Sequence, residues 1–165
     1  MISIADVNAM SPKAFIETFG DVAEHSPWVA READAFRPFA SREALVRQFE
    51  TAIRGANRDA QLALVRAHPD LAGRAKLTDD STKEQAGAGL NTLTADEFAR
   101  FTDLNTRYRE RFGFPFIFAV KGATKHMILD SFAARVGNDR DAEFETALQQ
   151  VCRIFRLRLE DRVSP

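Results

Sequence analysis

The 165-residue sequence contains one cysteine, one tryptophan and one tyrosine. Cys152 has no partner for an internal disulfide, so the fold rests on its core, and the chain is compatible with a reducing compartment. The apolar neighbours of Cys152 predict a small buried residue. No apolar run approaches the ~20 residues that span a bilayer, which excludes a transmembrane helix. The start, Met1-Ile2-Ser3-Ile4-Ala5-Asp6, lacks the basic and apolar regions of a secretory signal. The end, Arg162-Val163-Ser164-Pro165, is not a peroxisomal address. These absences lead us to expect a cytoplasmic protein. Neither sign of charge dominates: 23 basic residues face 24 acidic ones, net −1. That balance offers no footprint for nucleic acid or an anionic membrane. His25, His68 and His126 show no metal-ligand spacing, so no metal is expected. No internal repeat, low-complexity tract or long linker divides the chain, so residues 1–165 read as one domain.

Phenylalanine is plentiful, at 14 residues. It brings apolar area without a polar handle, so most of these rings belong in a core or a pocket wall. Apolar residues recur at helical spacing in segment after segment. Ser11-Pro12, Ser26-Pro27 and Ser41 read as helix starts. Arg58 to Ala67 reads as a further helix, which His68-Pro69 stops, because a residue before proline disfavours the α region. Residues 69–80 read as a loop. Ser81-x-x-Glu84 and Thr94-x-x-Glu97 both match a capping box, the second opening a long helix that Gly113-Phe114-Pro115 closes. Phe116 to Val120 is a continuous apolar run without a partner strand, hence buried helix or coil. Thr124 to Val136 and Arg140 to Arg162 read as the last two helices. The expected architecture is all-α, a single-domain bundle of about seven to nine helices.

The break in helical periodicity at His68-Pro69-Asp70 is where function is expected, since loops on a rigid scaffold carry binding and chemistry. His68 can exchange protons near neutral pH, and Pro69 restricts the backbone beside it. It can equally be a histidine that caps a helix. Ser81 and Glu84 can be a capping box and nothing more. They can also lie at a helix N-terminus whose N–H donors face a ligand, with Gln85 adding an amide suited to a urea or carboxamide group. Arg153, Arg156, Arg158 and Arg162 line the last helix, and Arg158 sits between two leucines. Arginine suits carboxylate recognition, although most arginines on such helices are solvated. The residues thus permit a small-anion site with a proton-handling histidine and do not name the substrate.

Several motifs occur in order: His68-Pro69-Asp70-Leu71-Ala72-Gly73, Ser81-x-x-Glu84-Gln85-x3-Gly89-Leu90, Phe98-x2-Phe101-x2-Leu104-Asn105-x2-Tyr108, Phe112-Gly113-Phe114-Pro115-Phe116-Ile117 and Ile154-x2-Leu157-Arg158-Leu159. Together they resemble the OHCU decarboxylase family, from Ser11 to about Arg162. The resemblance implies an all-α homodimer without metal or organic cofactor. It implies conversion of 2-oxo-4-hydroxy-4-carboxy-5-ureidoimidazoline (OHCU) to (S)-allantoin with loss of CO2 in urate breakdown. By the same resemblance, His68 and Glu84 are catalytic. Pro69, Ser81, Gln85, Phe116, Ile117, Phe118, Ala119, Val120 and Arg158 bind substrate, with Arg156 as the neighbour most easily confused with Arg158. The reading from another class is a helical module that binds a partner through a Phe-rich surface. A decarboxylase or hydrolase acting on a related ureido acid is a second enzymatic reading.

Overall fold

A computed structural model describes residues 1–73 and 76–165. Among them are nine helices and no strand, apart from one isolated bridge between Ile2 and Val163. The helices are α1 (Ile4–Ala9), α2 (Pro12–Phe19), α3 (Trp28–Asp34), α4 (Arg42–Gly55), α5 (Arg58–Ala67), α6 (Asp79–Gly87), α7 (Ala95–Phe112), α8 (Lys125–Arg135) and α9 (Arg140–Arg162). Backbone contacts divide the chain into two compact units, one of residues 1–67 and 152–165 and one of residues 68–151. No helix among the described residues is long and apolar enough to cross a membrane.

In the first unit, helix starts are written in capping residues. Ser11 and Ser41 accept from the backbone N–H groups of Ala14 and Ala44, both at 3.1 Å. This satisfies donors that a helix start leaves orphaned. Ser26 is a correction: α3 begins at Trp28 with no side-chain cap. The Ser26 hydroxyl instead donates to the Glu24 carbonyl at 2.8 Å and is buried. The short α1 has no apolar periodicity to announce it. It is held by a Ser3 cap, and by Arg37, whose Nη1 donates to the carbonyls of Val7 (3.1 Å) and Met10 (2.6 Å). The apolar faces of α2, α3 and α4 pack together, and Phe49 of α4 meets Phe155 edge-on at 6.1 Å. The two ends of the chain are fastened to each other. Ile2 N–H donates to the Arg162 carbonyl at 2.8 Å, and Ser164 N–H to the Ile2 carbonyl at 2.9 Å.

The second unit is organised around aromatic rings. Tyr108 of α7 lies 4.5 to 5.9 Å from Phe112, Phe114, Phe116 and Phe132. Phe116 stacks on Phe132 at 3.9 Å. Each such ring contributes about 1.5–3 kcal/mol on burial. Gly113 ends α7 in the left-handed conformation (φ 77°), which costs glycine little. The capping box at the start of α7 forms as expected, with Thr94 and Glu97 exchanging bonds with each other's backbone. Glu97 also accepts from Lys125 of α8 at 2.8 Å. That ammonium, with the Thr94 backbone N–H, lowers the Glu97 carboxyl pKa from 4.5 to about 2. A carboxylate whose pKa falls on folding stabilises the native state above its unfolded pKa, and this contribution fades as pH falls through the folded value. Lys125→Met should therefore melt earlier than the parent at neutral pH. Thermal melts should show the gap narrowing from about pH 4.5 and closing near pH 2.

Candidate functional site

Helix α5 ends at Ala67, and His68 follows it with 6% of its surface exposed. After Pro69, three successive residues are each held by a side chain from α6 or α7. Asp70 accepts from Arg109 Nε (2.8 Å), the Leu71 carbonyl accepts from Asn105 Nδ2 (2.9 Å), and Ala72 N–H donates to Gln85 Oε1 (3.1 Å). Ala72 adopts a φ of 55°, which costs a non-glycine residue about 1–2 kcal/mol. The clamp supplies what sustains that turn. Gly73 closes it, because a Cβ there would meet the Asp70 Cβ at 3.1 Å. The expected loop over 69–80 ends two residues early, at Thr78. Arg74 and Ala75, which that expectation includes, lie outside the described residues.

The start of α6 corrects a second expectation. Thr78, not Ser81, is its N-cap, accepting from Ser81 N–H at 3.2 Å. Two acidic residues, Asp79 and Asp80, fill the first turn and suit the positive end of the helix dipole. Ser81 is thus already inside the helix, and Glu84 lies a turn further on. The pair forms no capping box. Ser81 and Gln85, four apart on one helix face, are nonetheless buried to 5% and 7% exposure, with Glu84 half-buried beside them. Burying polar groups is costly, so this face has a role other than starting the helix. Gln85 uses its carbonyl oxygen to accept from Ala72, and its NH2 remains a donor. Gln85 and Ala72 also border a cavity of about 580 Å³, whose described walls carry no titratable side chain.

Phe116 to Val120 is coil, one of the two forms expected for it. Its residues are buried except Phe118, which is half-buried. The rings of Phe116 and Phe118 lie near-parallel at 6.1 Å, as side chains two apart on an extended chain do. Arg135 Nη1 donates to the Ile117 carbonyl at 2.7 Å, and Ala119 N–H donates to Gln150 Oε1 at 2.9 Å. Arg135 is itself tied to Glu143, whose Oε1 accepts from Arg135 Nε and from the Tyr108 hydroxyl, both at 2.6 Å. Asn138 reaches the other carboxylate oxygen at 3.2 Å. Burial and the Glu143 carboxylate push the Tyr108 hydroxyl far above its ordinary pKa, so it remains a donor.

His68, Pro69, Ser81, Glu84, Gln85 and residues 116–120 all belong to the second unit, and Arg158 to the first. Arg158 is 4% exposed and donates to the Val22 carbonyl (3.0 Å) and to Glu24 (2.8 Å), which is itself buried. Arg156 differs: half-exposed, it forms a two-pronged pair with Glu43 at 2.7 and 2.9 Å. That pairing holds the Glu43 carboxyl below its usual range and raises the guanidinium. The sequence reading passed over Arg135, Glu143, Gln150 and Glu24. A signal existed for two of them. Glu143, Ala147, Gln150 and Ile154 form one stripe of α9, in which Ala147 and Ile154 are buried. A polar residue in such a stripe needs a partner. Among the described residues, no group of three or more His, Cys, Asp or Glu side chains is arranged to hold a metal.

Comparisons with known proteins agree with one another. The family model for OHCU decarboxylase matches residues 8–160, which run through both units. The chain is 43% identical to a 2-oxo-4-hydroxy-4-carboxy-5-ureidoimidazoline decarboxylase of Haloferax volcanii, over 99% of this chain and 97% of that protein. It is 41% identical to the uric acid degradation bifunctional protein of Bacillus subtilis, over 99% of this chain and 33% of that one. The crystal structure of (S)-allantoin synthase superposes with a TM-score of 0.79 at 30% identity, covering 98% of this chain and 54% of that one.

Proposed function

The chain belongs to the OHCU decarboxylase family, and on that premise we propose how its residues perform the decarboxylation of OHCU to (S)-allantoin. The enzyme is a carboxy-lyase of urate degradation. Its substrate carries a carboxylate and a hydroxyl on one ring carbon, next to a C=N carbon bearing the ureido group. When the bond to the carboxylate breaks, CO2 leaves and the electron pair moves onto the C=N, whose nitrogen takes a proton. The hydroxyl then gives up its proton, a carbonyl forms, and the former C=N carbon is protonated on one face. The substrate is its own electron sink, so we propose that no cofactor takes part. What the protein supplies is orientation, charge placement and proton handling.

His68, oriented by Glu84, manages the proton at the substrate hydroxyl. Ser81, the Gln85 NH2 and the peptide groups around Phe118 hold the ureido and ring polar atoms, with Pro69, Phe116, Ile117, Ala119 and Val120 shaping the wall. Arg158, at the family's C-terminal arginine, is proposed to orient a carbonyl or carboxylate. The observation that carries these roles is the burial of Ser81 and Gln85 on one face of α6 while Thr78 caps the helix. The whole chain acts as one domain and as a homodimer in the cytoplasm. A partner-binding module is disfavoured, because eleven of the 14 phenylalanines are buried and Phe36 alone among them is strongly exposed.

A coupled assay tests the reading. Urate is oxidised and ring-opened in the cuvette, and the chain is added to the fresh product. We expect faster decay and an optically active product. Decay at the spontaneous rate, with no optical rotation, would overturn it.

A further inference from the structure

We infer that Gln150 is a positioning residue for the reaction, acting through the Ala119 peptide to set the backbone that Phe118 presents. The inference rests on the functional reading above. Residues 116–120 have no helix or strand to fix them, and an isolated coil segment does not hold its peptide groups to a fraction of an ångström. Here two side chains do so. Arg135 binds the Ile117 carbonyl and Gln150 binds the Ala119 N–H. In an extended run, the C=O of one residue and the N–H two residues later point to the same side, and the groups of the residue between them point to the other. The near-parallel Phe116 and Phe118 rings fit that geometry. One edge of the segment is thus bound from behind, and the Phe118 peptide groups face the opposite way. Phe118 is also the one residue from Phe114 to Val120 that is not fully buried.

The two anchors differ in what else they do. Arg135 is bonded into the buried group of Glu143 and Tyr108, so changing it disturbs the core. Gln150 is half-buried on α9, and its Oε1 accepts from the Ala119 N–H. It accepts a bond from a peptide that carries no side-chain chemistry of its own. Its position in the stripe with Glu143, Ala147 and Ile154 directs it inward, whereas its neighbour Gln149 is exposed.

The test compares Gln150→Met, which keeps the length and removes the acceptor, with Gln150→Glu, which keeps an acceptor at the same reach. Steady-state kinetics on freshly generated OHCU are run beside amide hydrogen exchange of Ala119 and thermal melting, all on the full chain. For Gln150→Met we expect KM to rise roughly tenfold or more with kcat within a few-fold, since a peptide that holds the substrate throughout the reaction contributes uniform binding. Ala119 exchange should quicken at least tenfold, and Gln150→Glu should restore both. Wild-type KM in Gln150→Met overturns the inference. So does a kinetic loss that Gln150→Glu fails to rescue or that tracks a fall in melting temperature. Failure of the functional reading is distinguishable, because it appears as inactivity of the unaltered chain.

Discussion

We expect His68→Asn to lower kcat for (S)-allantoin formation by about 10²–10⁴-fold, the usual contribution of a positioned acid–base group. Asparagine keeps a polar side chain of similar reach and cannot carry the proton. The histidine has no necessary part in ending α5, because Pro69 already disfavours helix at residue 68. Melting should therefore shift little, KM should stay within a few-fold, and the loss should fall on kcat. Spontaneous decay sets the floor and gives product without optical rotation. Rotation per mole of allantoin then reports the enzymatic fraction directly. Near-full activity of His68→Asn on fresh substrate would remove His68 from the chemistry and return it to the role of a buried residue after a helix end.

Arg135→Met has the largest expected effect on stability. Glu143 is fully buried, and its Oε1 accepts from both Arg135 and Tyr108. Removing the guanidinium leaves a buried carboxylate held by Tyr108 and Asn138 alone, for which the usual loss is about 3–5 kcal/mol. For a chain of this size that corresponds to a fall in melting temperature on the order of 10 °C. The variant also loses the bond to the Ile117 carbonyl and the guanidinium over the Phe116 ring at 4.3 Å. Arg135→Met combined with Glu143→Leu should recover part of the loss, because no unpaired charge is left behind. It should not recover all of it, since the Tyr108 hydroxyl would then lack its acceptor. A single variant that melts within 2 °C of the parent, a loss of under ~1 kcal/mol, would show that water reaches the pair.

Much of the helical framework can be read from residues. Ser11, Ser41, Thr94 and Thr124 cap their helices, and the spans Arg58–Ala67 and Arg140–Arg162 match the periodicity that announces them. The start of α6 is harder. Thr78 and Ser81 are both competent caps, and Glu84 favours the second through a capping-box pattern. No apolar stripe in Asp79–Gly87 fixes the register, so position alone cannot choose between them. Helix α1 is legible only after folding, because six residues with one buried side chain, Val7, show no period. Buried charge is the least legible feature. Glu24, Arg135, Glu143 and Arg158 look like solvated surface residues in a mixed-charge sequence. Glu24 and Arg158 are 134 residues apart, and Arg135 and Glu143, eight apart, meet only because the chain turns between α8 and α9.

The fastening of Ile2 to Arg162 and Ser164 closes the polypeptide almost into a ring. The order in which the helices are synthesised is then a matter of where that ring is opened, and a short linker could join the ends while the break is moved to an exposed turn. An added domain or tag emerges from one spot on the surface whichever terminus carries it. Two attachments, one at each end, would crowd one another there and compete for the same space.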